Sequence, residues 1–405
     1  MTKVKENKQF SLLSCLILGS IAFFISMDIY FPSFPYIKEY FSTTDESVQS
    51  TFLYFLIGSF ISCFLFPLII DTYGKKIIFC TSCFLSFFVG VLSLFSSSIE
   101  QMIYFRFLQG VFGAIPSVII FIFIYESFSK IEASKIFSLY GICISISLLL
   151  SPFIGGYIQS IFSWRVNAIF SSSLFLISGF LGFVHIKRDP LLKIKNASLN
   201  SLFQKIYNYL LLMRNIKFAF YILIIPILYS GKVVYLTSLP FFMSSILKLD
   251  STQYGLSITL SFIPYSIGSY FGGKLSEKLR PSIIIYNGLS ICLISSIILF
   301  INEQFEVISI SNIILALSLY LFGLGLLYPT VIMCGLKEAG ELRPYAISLR
   351  TLLSSFLGAS GVFYVKQAST QSLSIIFFYI SPLIILLILS SLYINKKHLL
   401  ISKNK

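Results

Sequence analysis

The chain has 405 residues, of which 56% are apolar and only 11% are charged. A soluble domain typically carries about 25% charged residues, and no water-soluble fold can bury this much apolar surface. The composition therefore excludes a soluble enzyme, a nucleic-acid-binding protein and a disordered chain. The formal net charge of +14 has a membrane explanation, given below.

Apolar runs long enough to cross a membrane recur along the chain. A membrane helix needs about 20 apolar residues, and twelve such runs are separated by polar breaks. They are 10–33, 49–70, 77–96, 101–124, 136–158, 164–186, 217–241, 253–273, 281–302, 309–333, 345–365 and 373–394. The sequence therefore predicts an all-α polytopic membrane protein with 12 transmembrane helices.

The lysines and arginines are distributed unequally between the two sides of these spans. Of the 30, 23 lie in the termini or in the connections that follow even-numbered spans, four lie on the opposite side and three lie inside spans. Because Lys and Arg concentrate in cytoplasmic loops, we expect both termini to be cytoplasmic. The same bias explains the basic pI without a nucleic-acid partner.

The longest polar break divides the spans into two groups of six. We predict an N-terminal six-helix bundle over 1–186, a basic cytoplasmic linker over 187–216, and a C-terminal six-helix bundle with a short basic tail over 217–405. The halves also resemble each other, since Tyr30-Phe-Pro-Ser-Phe-Pro35 in span 1 matches Tyr235-Leu-Thr-Ser-Leu-Pro240 in span 7. Repeated halves with a binding site at their interface are a transporter architecture.

Among the acids, only Asp28 lies well inside a predicted span. A carboxylate in hydrocarbon costs about 2.5–3.5 kcal/mol on insertion scales, so we interpret Asp28 as a functional residue that faces a cavity. The alternative is an acid at the outer end of span 1 that is merely wetted there. By the repeat alignment, Lys232 in span 7 matches Met27, and we expect it either to pair with Asp28 or to snorkel to the surface. Pairing favours the charged carboxylate whereas burial favours the neutral acid, and these effects oppose each other.

Two arginines also lie inside spans. Arg106, early in span 4, is either a residue that reaches solvent from the helix end or a hydrogen-bond donor in a cavity. Arg350 lies about one and a half turns into span 11, and we interpret it as snorkelling. His185 and His398 have no neighbouring residues with metal-ligand spacing, so we predict no metal site.

Motifs with recognisable spacing occur in order along the chain. They are Met27-Asp28-Ile-Tyr30-Phe-Pro-Ser-Phe-Pro35, Pro67-Leu-Ile-Ile-Asp71-Thr-Tyr-Gly74-Lys75-Lys76, Arg106-Phe-Leu-Gln109-Gly110 and Ser151-Pro152-Phe-Ile-Gly155-Gly156. The first resembles the D-M-Y-L-P-A-L-P segment of the Bcr/CflA group of drug-resistance exporters within the major facilitator superfamily. The other three resemble the superfamily patterns G-x-x-x-D-x-x-G-R-K, R-F-x-Q-G and G-P-x-x-G-G.

The resemblance implies a two-bundle fold and a secondary active transporter that works by alternating access. It implies that Asp28 exchanges a proton for a drug or metabolite during efflux, with Arg106 linked to proton coupling. By the repeat and the motif, we expect the substrate cavity to include Tyr30, Gln109, Lys232 and Tyr235. The conformational motifs are Asp71, Gly74, Lys75, Lys76, Pro152, Gly155 and Gly156.

Simple physical roles fit the conformational motifs. Gly74 permits a tight turn between helices, and Asp71 is placed to cap a neighbouring helix N-terminus. Pro152 bends its helix, while Gly155 and Gly156 allow close helix packing.

The resemblance also implies a location and partners. We expect a monomer in the inner membrane of a bacterium, with a small-molecule substrate, protons and the lipid bilayer as partners. No cofactor is expected, because the proton gradient supplies the energy.

Departures from the group and rival functions remain open at this point. Phe121 and Tyr125 stand where the group usually has Arg, while Lys232 and Arg350 stand where it is usually apolar. An added lysine suits an anionic or zwitterionic substrate better than a lipophilic cation. The alternative function is a proton-coupled importer of a small metabolite. A remote alternative is an intramembrane enzyme, which requires a nucleophile or metal set at membrane depth, and the sequence has no such motif.

Overall fold

The computed structural model describes residues 2–128, 130–186, 199–368 and 372–403. Within these ranges the chain forms fourteen α-helices joined by short turns. The helices are α1 (Thr2–Asp28), α2 (Phe34–Tyr40), α3 (Asp45–Tyr73), α4 (Lys75–Leu92), α5 (Ile99–Ser127), α6 (Lys130–Ile161), α7 (Trp164–His185), α8 (Leu199–Arg214), α9 (Ile216–Ser245), α10 (Ser251–Ser276), α11 (Pro281–Gln304), α12 (Ile310–Ala339), α13 (Arg343–Gln367) and α14 (Ser374–Lys403).

Helices dominate because a bilayer leaves backbone groups no water to bond, and a helix satisfies them within one segment. Among the described residues, eleven helical segments are long and apolar enough to span a membrane. The remaining predicted span corresponds to α10, which has 26 residues but is rich in Ser, Tyr and Gly. Its polar content, rather than its length, distinguishes α10 from the eleven apolar segments.

Side-chain caps fix where several helices begin. The Thr44 hydroxyl accepts a hydrogen bond from Ser47 N, and Ser98 does the same for Gln101 N. Asn215 accepts from Lys217 N and Phe218 N at the start of α9. Each cap satisfies a backbone donor that the first helical turn leaves without an intrahelical partner.

The chain divides into two compact units, residues 1–203 with 250–256, and residues 204–249 with 257–405. The boundary at residues 203 and 204 falls inside the predicted linker. Residues 250–256, at the start of α10, belong to the first unit, which the sequence does not predict.

The predicted linker contains a helix, α8, that the sequence analysis did not foresee. Its residue Leu212 is buried in an apolar cluster with Phe218, Ile222 and Ala346. The Tyr209 ring lies 6.0 Å from the Tyr345 ring. The C-terminal part of α8 therefore belongs to the second unit and packs there against α9 and α13. Residues 187–198 of the predicted linker lie outside the described residues.

Candidate functional site

The first transmembrane segment is interrupted at Asp28, where the sequence predicts one span over 10–33. Asp28 is the last residue of α1, and a 3-10 turn over Phe31–Ser33 separates it from α2. Proline is tolerated best in the first turn of a helix, and Pro32 and Pro35 occupy the first turns of the 3-10 segment and of α2. Asp28 is fully buried at this break.

Arg106 of α5 holds the chain on both sides of Asp28. Its Nη1 donates hydrogen bonds to the Ser26 carbonyl oxygen at 3.0 Å and to Gln109 Oε1 at 2.6 Å. Its guanidinium carbon lies 4.4 Å from the centre of the Tyr30 ring and 4.4 Å from that of Phe55. The side chain is 1% exposed. The two hydrogen bonds and two aromatic faces replace the water that this cation loses on burial.

Three of the predicted site residues therefore meet around α1: Tyr30, Arg106 and Gln109. The sequence left two interpretations of Arg106. The side chain is buried and donates hydrogen bonds, so it does not reach solvent from the helix end. Its place in a cavity stays a prediction. Sequence reasoning also missed Phe55, because an aromatic residue in an apolar span carries no distinguishing signal. Within the described protein groups, Arg106 Nε and Gln109 Nε2 have no acceptor, so the cluster retains donor capacity.

The predicted conformational motif of α6 packs against the same end of α1. The Ser151 hydroxyl donates to the Ile25 carbonyl oxygen at 3.3 Å. A β-carbon on Gly155 would overlap the Ile29 carbonyl oxygen. Glycine at 155 thus allows the backbones of α6 and the α1 break to touch.

Asn167 of α7 forms hydrogen bonds to both sides of this contact between α6 and the α1 break. The sequence analysis did not identify it. Its Nδ2 donates to Ser33 Oγ and to the Gly155 carbonyl oxygen, both at 3.0 Å. It is fully buried and is the single asparagine in the predicted span 164–186. That lone amide in an apolar span is the signal that could have revealed it.

The other glycine of the motif contacts the start of α10, in the part that belongs to the first unit. The Ser251 hydroxyl donates to the Gly156 carbonyl oxygen at 3.0 Å. A β-carbon on Gly156 would overlap the Ser251 carbonyl oxygen, and one on Gly255 would overlap that of Pro152. Small residues on both helices therefore permit this approach.

In the second unit, Lys232 of α9 is buried, with 4% of its surface exposed. Its Nζ lies 5.1 Å from the centre of the Phe262 ring and 5.7 Å from that of Tyr229. These distances are within the range of cation–π attraction. The predicted pairing of Lys232 with Asp28 joins residues of different units and stays a prediction.

Tyr235 is also fully buried in the second unit. Its hydroxyl is hydrogen-bonded to Ser295 Oγ at 2.8 Å, and its ring centre lies 5.1 Å from that of Tyr320. These contacts hold the ring within its own unit. Its predicted place in the substrate cavity is not tested by them.

The predicted loop motif lies at the turn between α3 and α4. Gly74 is the single residue between these helices and has φ 81° and ψ 154°, a region that side chains disfavour. Lys76 Nζ donates to the Phe183 carbonyl oxygen near the C-terminus of α7 at 2.6 Å, where a cation complements the helix dipole. Lys75 Nζ lies 5.5 Å from the Phe123 ring centre. The side chain of Asp71, and hence its predicted capping role, lies outside the described part.

Among the described residues, no group of three or more His, Cys, Asp or Glu side chains could hold a metal ion. The functional groups gathered around the end of α1 are instead a carboxylate, a guanidinium, amides and aromatic rings. Such a set can exchange protons and form hydrogen bonds in a low-dielectric setting.

Curated relatives were found over most of the chain. The chain is 24% identical over 351 residues to a chloramphenicol resistance protein, CraA, of Acinetobacter baumannii, covering 84% of this chain and 82% of the relative. It is 23% identical to a bicyclomycin resistance protein homolog of Haemophilus influenzae, covering 69% and 70%. It is 21% identical to the Multidrug resistance protein D of Escherichia coli, covering 84% and 83%.

Solved structures agree on the fold. A crystal structure of a D-xylose-proton symporter superposes with a TM-score of 0.74 at 14% identity, covering 95% of this chain and 96% of that one. The nucleoside transporter NupG gives 0.70 at 11% identity, covering 94% and 99%. The family model described as Major Facilitator Superfamily matches residues 16–362. These matches confirm the predicted transporter fold and exclude the enzyme alternative, and the chain belongs to the Major Facilitator Superfamily.

Proposed function

We propose that this transporter exports small molecules across the bacterial inner membrane in exchange for protons, with Asp28 as the proton site. The observation that carries the proposal is the burial of Asp28 at the break after α1. Broken transmembrane helices commonly form transporter binding sites, and an acid at membrane depth is by default functional.

Arg106 fixes the position of the chain segment that carries Asp28. It bonds the carbonyl of Ser26, two residues before Asp28, and stacks on the ring of Tyr30, two residues after it. A change in the charge of Asp28 therefore acts on a segment fixed to α5. We propose that Arg106 positions the proton site in this way and couples it to movement of the bundle.

The proton cycle is simple. Asp28 takes a proton from the outside and releases the cargo; it loses the proton to the cytoplasm and accepts the next molecule. One proton moving down about 180 mV supplies about 4 kcal/mol. That energy corresponds to about a thousandfold concentration ratio of cargo, which suffices for efflux.

The direction of transport is inferred from the relatives. Three of them carry chloramphenicol, bicyclomycin or multidrug resistance in their names, which supports efflux. We propose that Tyr30 and Gln109 of the first unit and Lys232 and Tyr235 of the second contribute to the substrate cavity. We also propose that the protein works as a monomer and needs no cofactor beyond the proton gradient.

The test is proton movement in everted membrane vesicles. Energised vesicles with the wild-type chain or Asp28→Asn receive chloramphenicol, bicyclomycin, cationic dyes, metal chelates and amino acids in turn. We expect at least one compound to release protons from wild-type vesicles and none to do so with Asp28→Asn. Glu39→Gln is the matched control, because Glu39 is an exposed acid on α2, and it should behave like the wild type.

The outcomes separate the parts of the proposal. Substrate-driven proton release that persists in Asp28→Asn rules out Asp28 as the proton site. Proton movement in the opposite sense identifies a symporter that imports a metabolite. A substrate that crosses without proton movement excludes proton coupling.

A further inference from the structure

The start of α10 carries a buried tyrosine that the predicted site does not include. Tyr254 is the fourth residue of this helix, and only 3% of its surface is exposed. Among the described protein groups, its hydroxyl has no hydrogen-bond partner. A buried polar group without a partner is costly and rare in native proteins, so this hydroxyl requires an explanation.

Close backbone contacts fix the start of α10 against α6. Ser251, Tyr254 and Gly255 lie on one face of α10, because residues three and four apart are neighbours on a helix surface. The Ser251 hydroxyl donates to the Gly156 carbonyl oxygen at 3.0 Å. A β-carbon on Gly255 would overlap the Pro152 carbonyl oxygen. The contacts on both sides of Tyr254 therefore hold it against α6.

The same stretch of α6 contacts the α1 break. The Ser151 hydroxyl donates to the Ile25 carbonyl oxygen, and a β-carbon on Gly155 would overlap the Ile29 carbonyl oxygen. Residues 151–156 of α6 therefore contact both the α1 break and the start of α10. All of these residues belong to the first unit.

Asp28 lies at this break, and its carboxylate interacts electrostatically with the Tyr254 side chain. Both residues are buried. A phenol O–H is a hydrogen-bond donor, and a charged carboxylate is a strong acceptor of such bonds. The tyrosine thus has the chemistry that stabilises the charged form of this acid.

The other charges around the break are few. Arg106 of α5 supplies a cation, and its guanidinium stacks on the Tyr30 ring. Asp250, just before α10, is exposed, and its carboxylate accepts a hydrogen bond from the backbone of its own helix. Three segments of the neighbouring helices contain no Asp, Glu, Lys, Arg or His: 48–70 of α3, 136–161 of α6 and 166–184 of α7.

We propose that the Tyr254 hydroxyl donates a hydrogen bond to the charged Asp28 carboxylate, directly or through one water molecule, and so sets the pH at which this acid takes up its proton. The tyrosine keeps its own proton, and only Asp28 exchanges one with water. Tyr254 is therefore a positioning residue for proton exchange. The role of Asp28 in transport rests on the proposed function.

The place of Tyr254 on α10 links this hydrogen bond to alternating access. In the predicted topology, α10 begins on the outer side of the membrane. A movement that withdraws the start of α10 from α6 removes the donor, so Asp28 takes a proton from the outside. The return of α10 restores the donor and favours release of that proton. From Ser257 onward, α10 belongs to the second unit.

The experiment follows the protonation of Asp28 without any proton gradient. Purified protein in nanodiscs is titrated with pH, and infrared difference spectra record the carboxylic acid C=O stretch, which Asp28→Asn identifies by its loss. We expect Tyr254→Phe to move the midpoint of this band upward by about one pH unit, because the charged form loses a hydrogen bond. Tyr270→Phe is the matched control on the same helix, since its ring is 62% exposed, and it should not move the midpoint.

A second variant tests the same donor without removing it. Gly255→Ala forces α10 away from the Pro152 carbonyl oxygen, so it should also raise the midpoint. Combined with Tyr254→Phe, it should add no further shift. Gly273→Ala is its control, because a β-carbon there meets no atom within 4 Å. Thermal unfolding midpoints establish that each variant is folded.

Three results would overturn the inference: an unchanged or lower midpoint in Tyr254→Phe, an equal shift in Tyr270→Phe, and the absence of any Asp28 band that titrates. The proposed function is judged separately, by proton release from vesicles. Release that depends on Asp28, together with an unchanged midpoint in Tyr254→Phe, would contradict the role of Tyr254 alone. A shifted midpoint without substrate-driven release would contradict proton-coupled export and leave the role of Tyr254 in place.

Discussion

Arg106 is a charged side chain with 1% of its surface exposed, and its surroundings explain how it is tolerated. The Ser26 carbonyl and the Gln109 amide oxygen accept its hydrogen bonds, and the rings of Tyr30 and Phe55 cover its faces. Arg106 and Gln109 could be identified as a pair from the sequence, because they are three residues apart on one helix. Ser26 and Phe55 could not, because they lie on other helices.

Replacement of Arg106 by Lys tests this arrangement. An ammonium has no planar face and cannot reach both acceptors while stacking on both rings. Loss of one hydrogen bond from a charged group costs about 1.5–3 kcal/mol. We therefore expect Arg106→Lys to lower the midpoint of thermal unfolding in detergent and to reduce substrate-driven proton release by about tenfold or more.

The matched control for this change is Arg343→Lys, at the exposed start of α13. It should leave both the unfolding midpoint and proton release unchanged. If both variants had the same unfolding midpoint and the same proton release, the stacked geometry of Arg106 would contribute to neither stability nor transport.

At the scale of helices, the contact between α6 and the α1 break depends on small residues. Ser151 bonds the Ile25 carbonyl, and Asn167 bonds the Gly155 carbonyl and Ser33. Sequence analysis identified Gly155 and Gly156 as packing residues. It could not identify their partners, which are Ile29 and Ser251.

Gly155→Ala should destabilise the protein. The added β-carbon would overlap the Ile29 carbonyl oxygen, so the backbone of α6 or of the α1 break must shift. Overpacking of this kind costs about 1–3 kcal/mol. We expect a lower midpoint in thermal unfolding of the purified protein.

Gly141→Ala is the control in the same helix, because a β-carbon there meets no atom within 4 Å. Alanine is the better helix former, so this variant should be unchanged or slightly more stable. If Gly155→Ala matched Gly141→Ala, the close approach of α6 to Ile29 would be disproved.

For the whole molecule, each unit contains a helix pair built in the same way. In the first unit, α3 and α5 approach at Gly58 and Gly110; in the second, α10 and α12 approach at Gly268 and Gly325. In every case a β-carbon would overlap a backbone carbonyl of the opposite helix. This repetition supports the internal repeat that the sequence predicts from Tyr30–Pro35 and Tyr235–Pro240.

Membrane topology is the prediction at this scale. Ser97 lies between α4 and α5, and Lys278 lies between α10 and α11; both are exposed. From the excess of Lys and Arg on one side, we predict that Lys278 lies in the cytoplasm and Ser97 outside. A membrane-impermeant maleimide should label Ser97→Cys in intact cells, and Lys278→Cys only after the cells are permeabilised.

The unsubstituted chain gives the background of this labelling. Of its seven cysteines, five are buried and two are half-buried, so little reaction is expected. Labelling of Lys278→Cys in intact cells would reverse the proposed orientation.

The sequence by itself determined the long apolar helices and the family, but not α8 or the division of the first segment into α1 and α2. Apolar runs of about 20 residues must form helices in a bilayer, because no other local structure satisfies their backbone groups. Gly74, whose positive φ disfavours a side chain, has a local reason that can be predicted. The partner of Lys76 could not be predicted, because the Phe183 carbonyl lies 107 residues away. The interruption at Asp28 was less accessible, since the prolines mark a kink but not its position.

Only the tertiary structure decided which groups meet. Arg106 and Ser26 are 80 residues apart, and Asn167 and Ser33 are 134 apart. Tyr235 is hydrogen-bonded to Ser295, 60 residues further along the chain. Such contacts depend on the distance and rotation of neighbouring helices, which are set by packing over their whole length. No pattern within a single helix records them.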